Sequence, residues 1–379
     1  MSISFVPNLQ MMACVQIAIP ILNIPEIQYL IDSYSPGWQL PENIEVCTVI
    51  EKTTMEKILN LRLAILLQKM VKNCVMNMFS QIIECKNTYS LVLTDCSNHV
   101  NKNFKFFWKC DGTIDQKKTV KALIENQDLN VKERFVLASR FCLADDALCL
   151  WKSMIETQKC FTPLELECQP LVKLWIEMYE DRSLCMKITP QILESSVLKS
   201  NVYMLRYATQ MLPYERQRPY LLRTALKGEI SIDIMAFCLS QLDKCDQEII
   251  LKNSTTKVLQ CVLTWPYQCM FKNVADYLWT YLSREGFCDV LWLILLKVMH
   301  QEWSDFRLME ILKEFWFESP AHFKEHAKQQ PIYEPLMIAL NCNMHSFPRC
   351  ELSEACIQSL KKFSPKNLCI IMLECLYLI

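Results

Sequence analysis

Along most of this chain apolar side chains recur three and four residues apart. In residues 131–142, Val131, Phe135, Ala138 and Cys142 fall at i, i+4, i+7 and i+11, with Lys132, Glu133, Ser139 and Arg140 off that stripe. Asp145 and Asp146 interrupt the pattern and are placed to cap the next helix, on which Ala147, Leu150, Trp151 and Met154 share a face. Leu308, Ile311, Leu312, Phe315 and Trp316 repeat the spacing near the other end. The pattern predicts short helices of about twelve residues joined by brief connections, about fifteen of them after Lys52. Residues 87–112 are less regular.

Helix starts are written in the sequence as well. Thr162-Pro163, Thr189-Pro190, Ser319-Pro320 and Ser364-Pro365 each precede an apolar-periodic run. A hydroxyl at the N-cap accepts from an orphan N–H, and proline at N1 gives up a donor that has no helical partner. Thr162 with Glu165 has the spacing of a capping box. The same dipeptides fit proline-directed phosphorylation, but their position at helix starts favours the structural role. Asn253-Ser254-Thr255 is a lone glycosylation sequon that also reads as a helix start before Val258–Val262.

The expected fold class is all-α: an irregular α-solenoid built as an array of short antiparallel helix hairpins, each needing neighbours to cover its apolar face. A two-lobed irregular helical bundle is the alternative. The division expected is an N-terminal helical region over 1–110 and a helical-repeat-like array over 111–379. The ankyrin and tetratricopeptide repeat signatures are missing.

Composition sharpens this picture. The 379 residues contain four glycines, Gly37, Gly112, Gly228 and Gly286, where ordinary usage gives about 27. Phosphate-cradling loops and nucleophile elbows need glycine, so the shortage argues against those architectures. Gly112 and Gly286 fall at predicted helix junctions, Gly228 is placed like a C′ residue after Leu221–Leu226, and Gly37 belongs to a turn. Forty basic residues face 41 acidic ones, a net charge of −1 that removes any global attraction to nucleic acid or anionic membrane. The 21 cysteines include no C-x-x-C pair and no zinc spacing. Cys142, Cys149, Cys238, Cys261 and Cys369 sit at apolar helix positions, as reduced core thiols of a cytoplasmic protein would.

Met11–Ile24 (MMACVQIAIPILNI) resembles the apolar core of a signal peptide. The first basic residue is Lys52, however, and Pro7, Pro20 and Pro25 interrupt the run. The expectation for residues 1–25 is a buried helix, with no membrane span there or in Val290–Leu296 or Cys369–Ile379.

Four constellations invite chemistry. His322 and His326 with Glu325 match H-x-x-E-H, two imidazoles on one helix face, but no third ligand is apparent and a solvated helix face is the simpler reading. Asp145-Asp146 begins a magnesium motif whose third acid is replaced by Cys149. Lys102, Lys105 and Lys109 interleave with Phe104, Phe106, Phe107 and Trp108, followed by Lys117, Lys118 and Lys121. Lysines with aromatics suit single-stranded nucleic acid, yet Phe104, Phe107 and Trp108 have helical spacing that suits a core plug. Arg216, Arg218, Arg223 and Lys227 read as an exposed helix face or a patch for an acidic partner. Cysteine–histidine pairs with His99, His300, His322, His326 or His345 could form only through tertiary contacts.

Phe107–Trp151 (FWKCDGTIDQKKTVKALIENQDLNVKERFVLASRFCLADDALCLW) and Glu314–His326 (EFWFESPAHFKEH) are similar to segments of a lineage-expanded family of arthropod proteins without known function. That resemblance implies a helical, repeat-like fold and brings no catalytic motif. The reading is therefore a non-enzymatic protein-interaction scaffold or adaptor for a protein partner of unknown identity, with no assigned catalytic, cofactor or metal residue and no strong nucleic-acid signal. The alternative is an all-α enzyme or small-ligand binder with a pocket between helices.

Overall fold

The computed structural model describes residues 8–34, 41–90, 105–155, 159–162, 165–166, 169–180, 193–194, 197, 201–228, 230–300, 306–342 and 349–360. Among these the chain forms 19 α-helices and no strand, an all-α fold. Thr189-Pro190, Ser364-Pro365, Pro163, Gly37, Lys102, Phe104, His99, His345 and Cys369 lie outside the described residues.

The N-terminal helices are α1 (Leu9–Leu22), α2 (Pro25–Ser33), α3 (Pro41–Asn60) and α4 (Ile65–Ser90). Asn8 Oδ1 caps α1 by accepting from Met11 N at 2.7 Å. Met11, Cys14, Val15, Ala18, Ile21 and Leu22 of α1 are buried, and the helix packs along α4. Pro25 opens α2 at an angle of 79° to α1. The apolar run of residues 11–24 is thus spent on a core, and among the described residues no single helix is long and apolar enough to cross a membrane.

Four helices follow the turn over 105–115: α5 (Gln116–Glu125), α6 (Val131–Arg140), α7 (Ala144–Ser153) and α8 (Pro170–Glu180). Here two polar residues predicted to face water are buried, Glu133 and Ser139. Glu133 completes a capping box: Asn130 Oδ1 accepts from Glu133 N at 2.8 Å, and Glu133 Oε2 accepts from Asn130 N at 3.2 Å. The Ser139 carbonyl accepts from the indole of the buried Trp175 on α8 at 2.9 Å, so α6 is covered on more than its apolar stripe. Asp145 and Asp146 do not cap α7. Leu143 holds the N-cap and the two acids lie in the first turn, where they favour the helix dipole. The capping box at Thr162 and Glu165 is present, with Glu165 N donating to Thr162 Oγ1 at 3.2 Å and Thr162 N donating to Glu165 Oε2 at 2.6 Å.

The remaining helices are α9 (Val202–Gln210), α10 (Tyr214–Ala225), α11 (Ile232–Gln241), α12 (Lys244–Asn253), α13 (Thr255–Val262), α14 (Phe271–Leu278), α15 (Arg284–His300), α16 (Phe306–Glu318), α17 (Ala321–Lys328), α18 (Tyr333–Asn341) and α19 (Arg349–Leu360), with a 3₁₀ turn at Tyr267–Met270. Alternate helices stack: α9 on α11, α11 on α13, α13 on α15 and α15 on α17 in one row, α10 on α12 and α14 on α16 in the other. α15 carries buried apolar residues on every face (Phe287, Val290, Leu291, Trp292, Leu293, Ile294, Leu295) and is packed by α13 and by α16 to α19. A helix apolar all round has to be interior.

Several local expectations are corrected. Gly228 is not a left-handed cap; Gly112, at φ 78°, is the glycine with positive φ among the described residues. Gly286 lies inside the first turn of α15, its N–H donating to Ser283 Oγ at 2.9 Å. Ser319 does not cap α17, because its hydroxyl donates back to Trp316 O at 2.8 Å and Pro320 takes the N-cap. Cys149 is exposed and Cys142 half-buried, while Cys238 and Cys261 are core thiols. α3, α4 and α15, with 20, 26 and 17 residues, exceed the short length expected.

Candidate docking cleft

At 26 residues α4 is about 39 Å long, and it passes several helices of the later array. Its first half, from Leu66 to Met76, forms one wall of a cleft of 140 Å³. Trp265, Pro266, Gln268 and Cys269 form the second wall, Arg307 and Glu310 of α16 the third, and Met11 of α1 also lines it.

Gly112 sets this junction. Its carbonyl accepts from Gln81 Nε2 of α4 at 2.9 Å and from Trp265 Nε1 at 3.3 Å. A Cβ at Gly112 would stand 2.9 Å from Val15 Cγ2 and 3.0 Å from Trp265 Cζ2, so α1, the turn and Trp265 meet only because no side chain intervenes. The turn is closed by Gly112 N donating to Lys109 O at 3.1 Å, Lys109 N to Thr113 O at 2.8 Å and Asp115 N to Phe107 O at 2.6 Å. Phe107 and Trp108 therefore lie in a hairpin-like turn with a Trp108–Ile114 bridge, and the helical reading of their spacing is wrong.

The cleft lining is rich in sulfur: Met11, Met70, Cys74, Met76 and Cys269. Its charged residues are Lys69, Lys72, Arg307 and Glu310. Lys72 pairs with Glu51, and Arg307 pairs with Glu310 at 3.3 Å and Glu314 at 3.5 Å. Beside it the α3–α4 corner exposes Leu61 (48%), Ile65 (73%) and Leu66 (66%). Arg62 turns that corner at φ 52°.

The buried Cys74 thiol donates a hydrogen bond to Cys14, which holds the Cys14 thiol below its usual range and, with burial, pushes Cys74 far above it. Farther along α4, Glu84 lies near Asp233 of α11 and Lys297 of α15. Desolvation raises the Glu84 carboxyl above the usual carboxylate range, the charge of Asp233 adds to this, and Lys297 opposes it. Desolvation raises Asp233 as well. Both residues nonetheless reach solvent.

The structure disperses the residues singled out from sequence. His322 is exposed and His326 half-buried on α17, which buries Phe323 and Ala327 on its other side. Glu325 is paired with Lys328 at 2.8 Å. Among the described residues no group of three His, Cys, Asp or Glu side chains could hold a metal ion. Lys105 lies over the Phe107 ring at 5.2 Å, and Lys117, Lys118 and Lys121 are exposed on α5. Arg216, Arg218, Arg223 and Lys227 are exposed. Arg218 grips the Asp246 carboxylate with two guanidinium nitrogens and meets Asp243 at 3.2 Å, so this member of the basic group serves an internal contact. Sequence reading missed the cleft, since the apolar residues at 61–66 mark one corner beside it and not the distant segments that form its walls. Compared with known proteins, the chain matches no family model and no curated sequence.

Proposed function

We propose that this chain is a non-enzymatic interaction adaptor of the cytosol that receives a segment of a partner protein at the α4–α16 cleft. The observation that carries this reading is the pairing of that cleft with the exposed Leu61, Ile65 and Leu66. Ligand pockets enclose about 300–1,000 Å³, and 140 Å³ holds one or two side chains of a docked segment rather than a whole small molecule. Methionine adapts its shape to whatever enters, which suits a surface that accepts side chains. Helical arrays usually bind through an extended face, and the stacking of alternate helices in this chain is compatible with such a face. Buried thiols such as Cys238 and Cys261 suit a reducing compartment.

Cross-linking and affinity capture with the full chain, wild type against Ile65→Lys/Leu66→Glu, tests this. Both positions are exposed, so folding should change by no more than about 0.5 kcal/mol each. A specific partner should be recovered by the wild type and lost about tenfold or more by the variant. Equal recovery of every partner by a folded variant would remove the cleft from the function.

A further inference from the structure

Three sulfur atoms from two helices converge beside the cleft. Met11 and Cys14 stand one turn apart on the face of α1 that packs against α4, and Cys74 of α4 reaches both. The Cys74 thiol lies 3.9 Å from Met11 Sδ, and Cys14 is its other sulfur neighbour. Both thiols are 1% exposed and Met11 is 7% exposed, yet Cys74 and Met11 line the cleft, which gives a path from solvent.

A three-coordinate ion bonded to sulfur at about 2.3 Å sets its ligands about 4.0 Å apart, the edge of an equilateral triangle. The 3.9 Å between Cys74 and Met11 has that length before any ion enters. Two thiols and a thioether are a soft donor set, which selects Cu(I) among the first-row ions. Zn²⁺ takes four ligands from Cys, His and carboxylates, and no such group of even three exists among the described residues. We propose that Met11, Cys14 and Cys74 form a binding site for a single Cu(I) ion. Loading is a ligand exchange without electron transfer. Cu(I) leaves a thiol-ligated carrier, each of Cys14 and Cys74 gives up its proton to solvent as its Cu–S bond forms, and Met11 donates a lone pair. The bis-thiolate centre carries one negative charge, and Lys69, Lys72 and Arg307 line the same cleft against Glu310. The site stands independently of the adaptor reading.

The test uses the reduced full-length protein, anaerobically, competing with excess bicinchoninate for Cu(I). The chelator suppresses weak binding to the other cysteines, and the wild type should take one tight equivalent. Cys14→Ala and Cys74→Ala should each weaken that equivalent by about 100-fold and Met11→Leu by about tenfold. Cys110→Ala, Cys149→Ala and Cys245→Ala, at exposed thiols, should leave it unchanged. X-ray absorption on the 1:1 complex should show three sulfurs, falling to two in Met11→Leu. That swap nearly conserves volume, costs less than about 1.5 kcal/mol and keeps the test decisive even if a cysteine variant fails to fold. A first equivalent of unchanged affinity in folded Cys14→Ala/Cys74→Ala overturns the proposal. So does a sulfur shell and affinity indifferent to Met11→Leu.

Discussion

Gly286→Ala should destabilise this protein, although the same change in an ordinary helix stabilises it. In a helix interior alanine is favoured over glycine by about 1 kcal/mol. Gly286, in the first turn of α15, faces α13, and a Cβ built there lies 2.4 Å from Thr256 Oγ1, 3.1 Å from Ser283 Oγ and 3.3 Å from Leu282 Cδ1. The first contact is about 1 Å too short, and a β-branched threonine in a helix has few rotamers through which to retreat. Overpacking of this kind costs about 1–3 kcal/mol; an overlap of this depth belongs in the upper half, at about 2.5 kcal/mol, so the clash outweighs propensity by about 1.5 kcal/mol. Unfolding entropy of about 2.1 cal/mol/K per residue over 379 residues is about 0.8 kcal/mol/K, so the melting temperature should fall by about 2 °C. Scanning calorimetry on the wild type, Gly286→Ala, Thr256→Ala and the double variant closes a thermodynamic cycle. With the Thr256 hydroxyl and methyl gone, Gly286→Ala should become neutral or stabilising by about 0.5 kcal/mol, a coupling of about 2 kcal/mol. Simple additivity, or a stabilised single Gly286→Ala variant, would refute the claim that α13 and α15 pack backbone to side chain here.

Three further outcomes are expected. Cys142 closes α6 at φ 54° in a Schellman motif, with Leu143 N donating to Ala138 O at 2.9 Å and Cys142 N to Ser139 O at 3.2 Å. Relief of about 1–2 kcal/mol of left-handed strain exceeds the loss of its 3.8 Å contact with Met204 Sδ, so Cys142→Gly should gain about 0.5–1 kcal/mol while Cys142→Ala should lose stability; equal melting temperatures for the two would contradict this. Arg62→Gly, at an exposed corner with φ 52°, should gain about 1 kcal/mol for the same reason, read from urea midpoints. Glu84 and Asp233 hold their protons to higher pH folded than unfolded, so the folded state binds more protons and their contribution is lost as pH rises from the ordinary carboxylate range through the raised native values. Glu84→Gln and Asp233→Asn should flatten that decline and be more stable than wild type at its upper end; a steeper decline in melting temperature would reverse the sign.

Local chemistry was readable where one segment decides the outcome. Thr162 and Glu165 form their capping box, and Leu308, Ile311, Leu312, Phe315 and Trp316 are all buried, because each depends on residues within a few turns. Glu133 was misjudged because a capping side chain is polar by composition and buried by position. The cleft was invisible for a different reason. It joins residues 11, 66–76, 265–269 and 307–310, and its bracing bond from Trp265 to Gly112 spans 153 positions, so no periodicity can announce it.

The turn over 105–115 shows how two local signals compete. Phe104, Phe107 and Trp108 have helical spacing, while Gly112 falls at a predicted helix junction. Asp111 Oδ1 accepts from Thr113 N at 2.8 Å and Gly112 takes positive φ, so the turn prevails. The scarcity of glycine then has a precise structural consequence. Arg62 and Cys142 bear left-handed conformations that glycine would carry without strain, whereas Gly112 and Gly286 stand where a Cβ would strike a neighbouring element. Backbone freedom alone therefore did not decide where this chain keeps glycine. Close approach between elements accounts for Gly112 and Gly286, though not for Gly228, where a Cβ would meet nothing within 4 Å, and at Gly112 that approach is what holds α1, α4 and Trp265 together around the cleft.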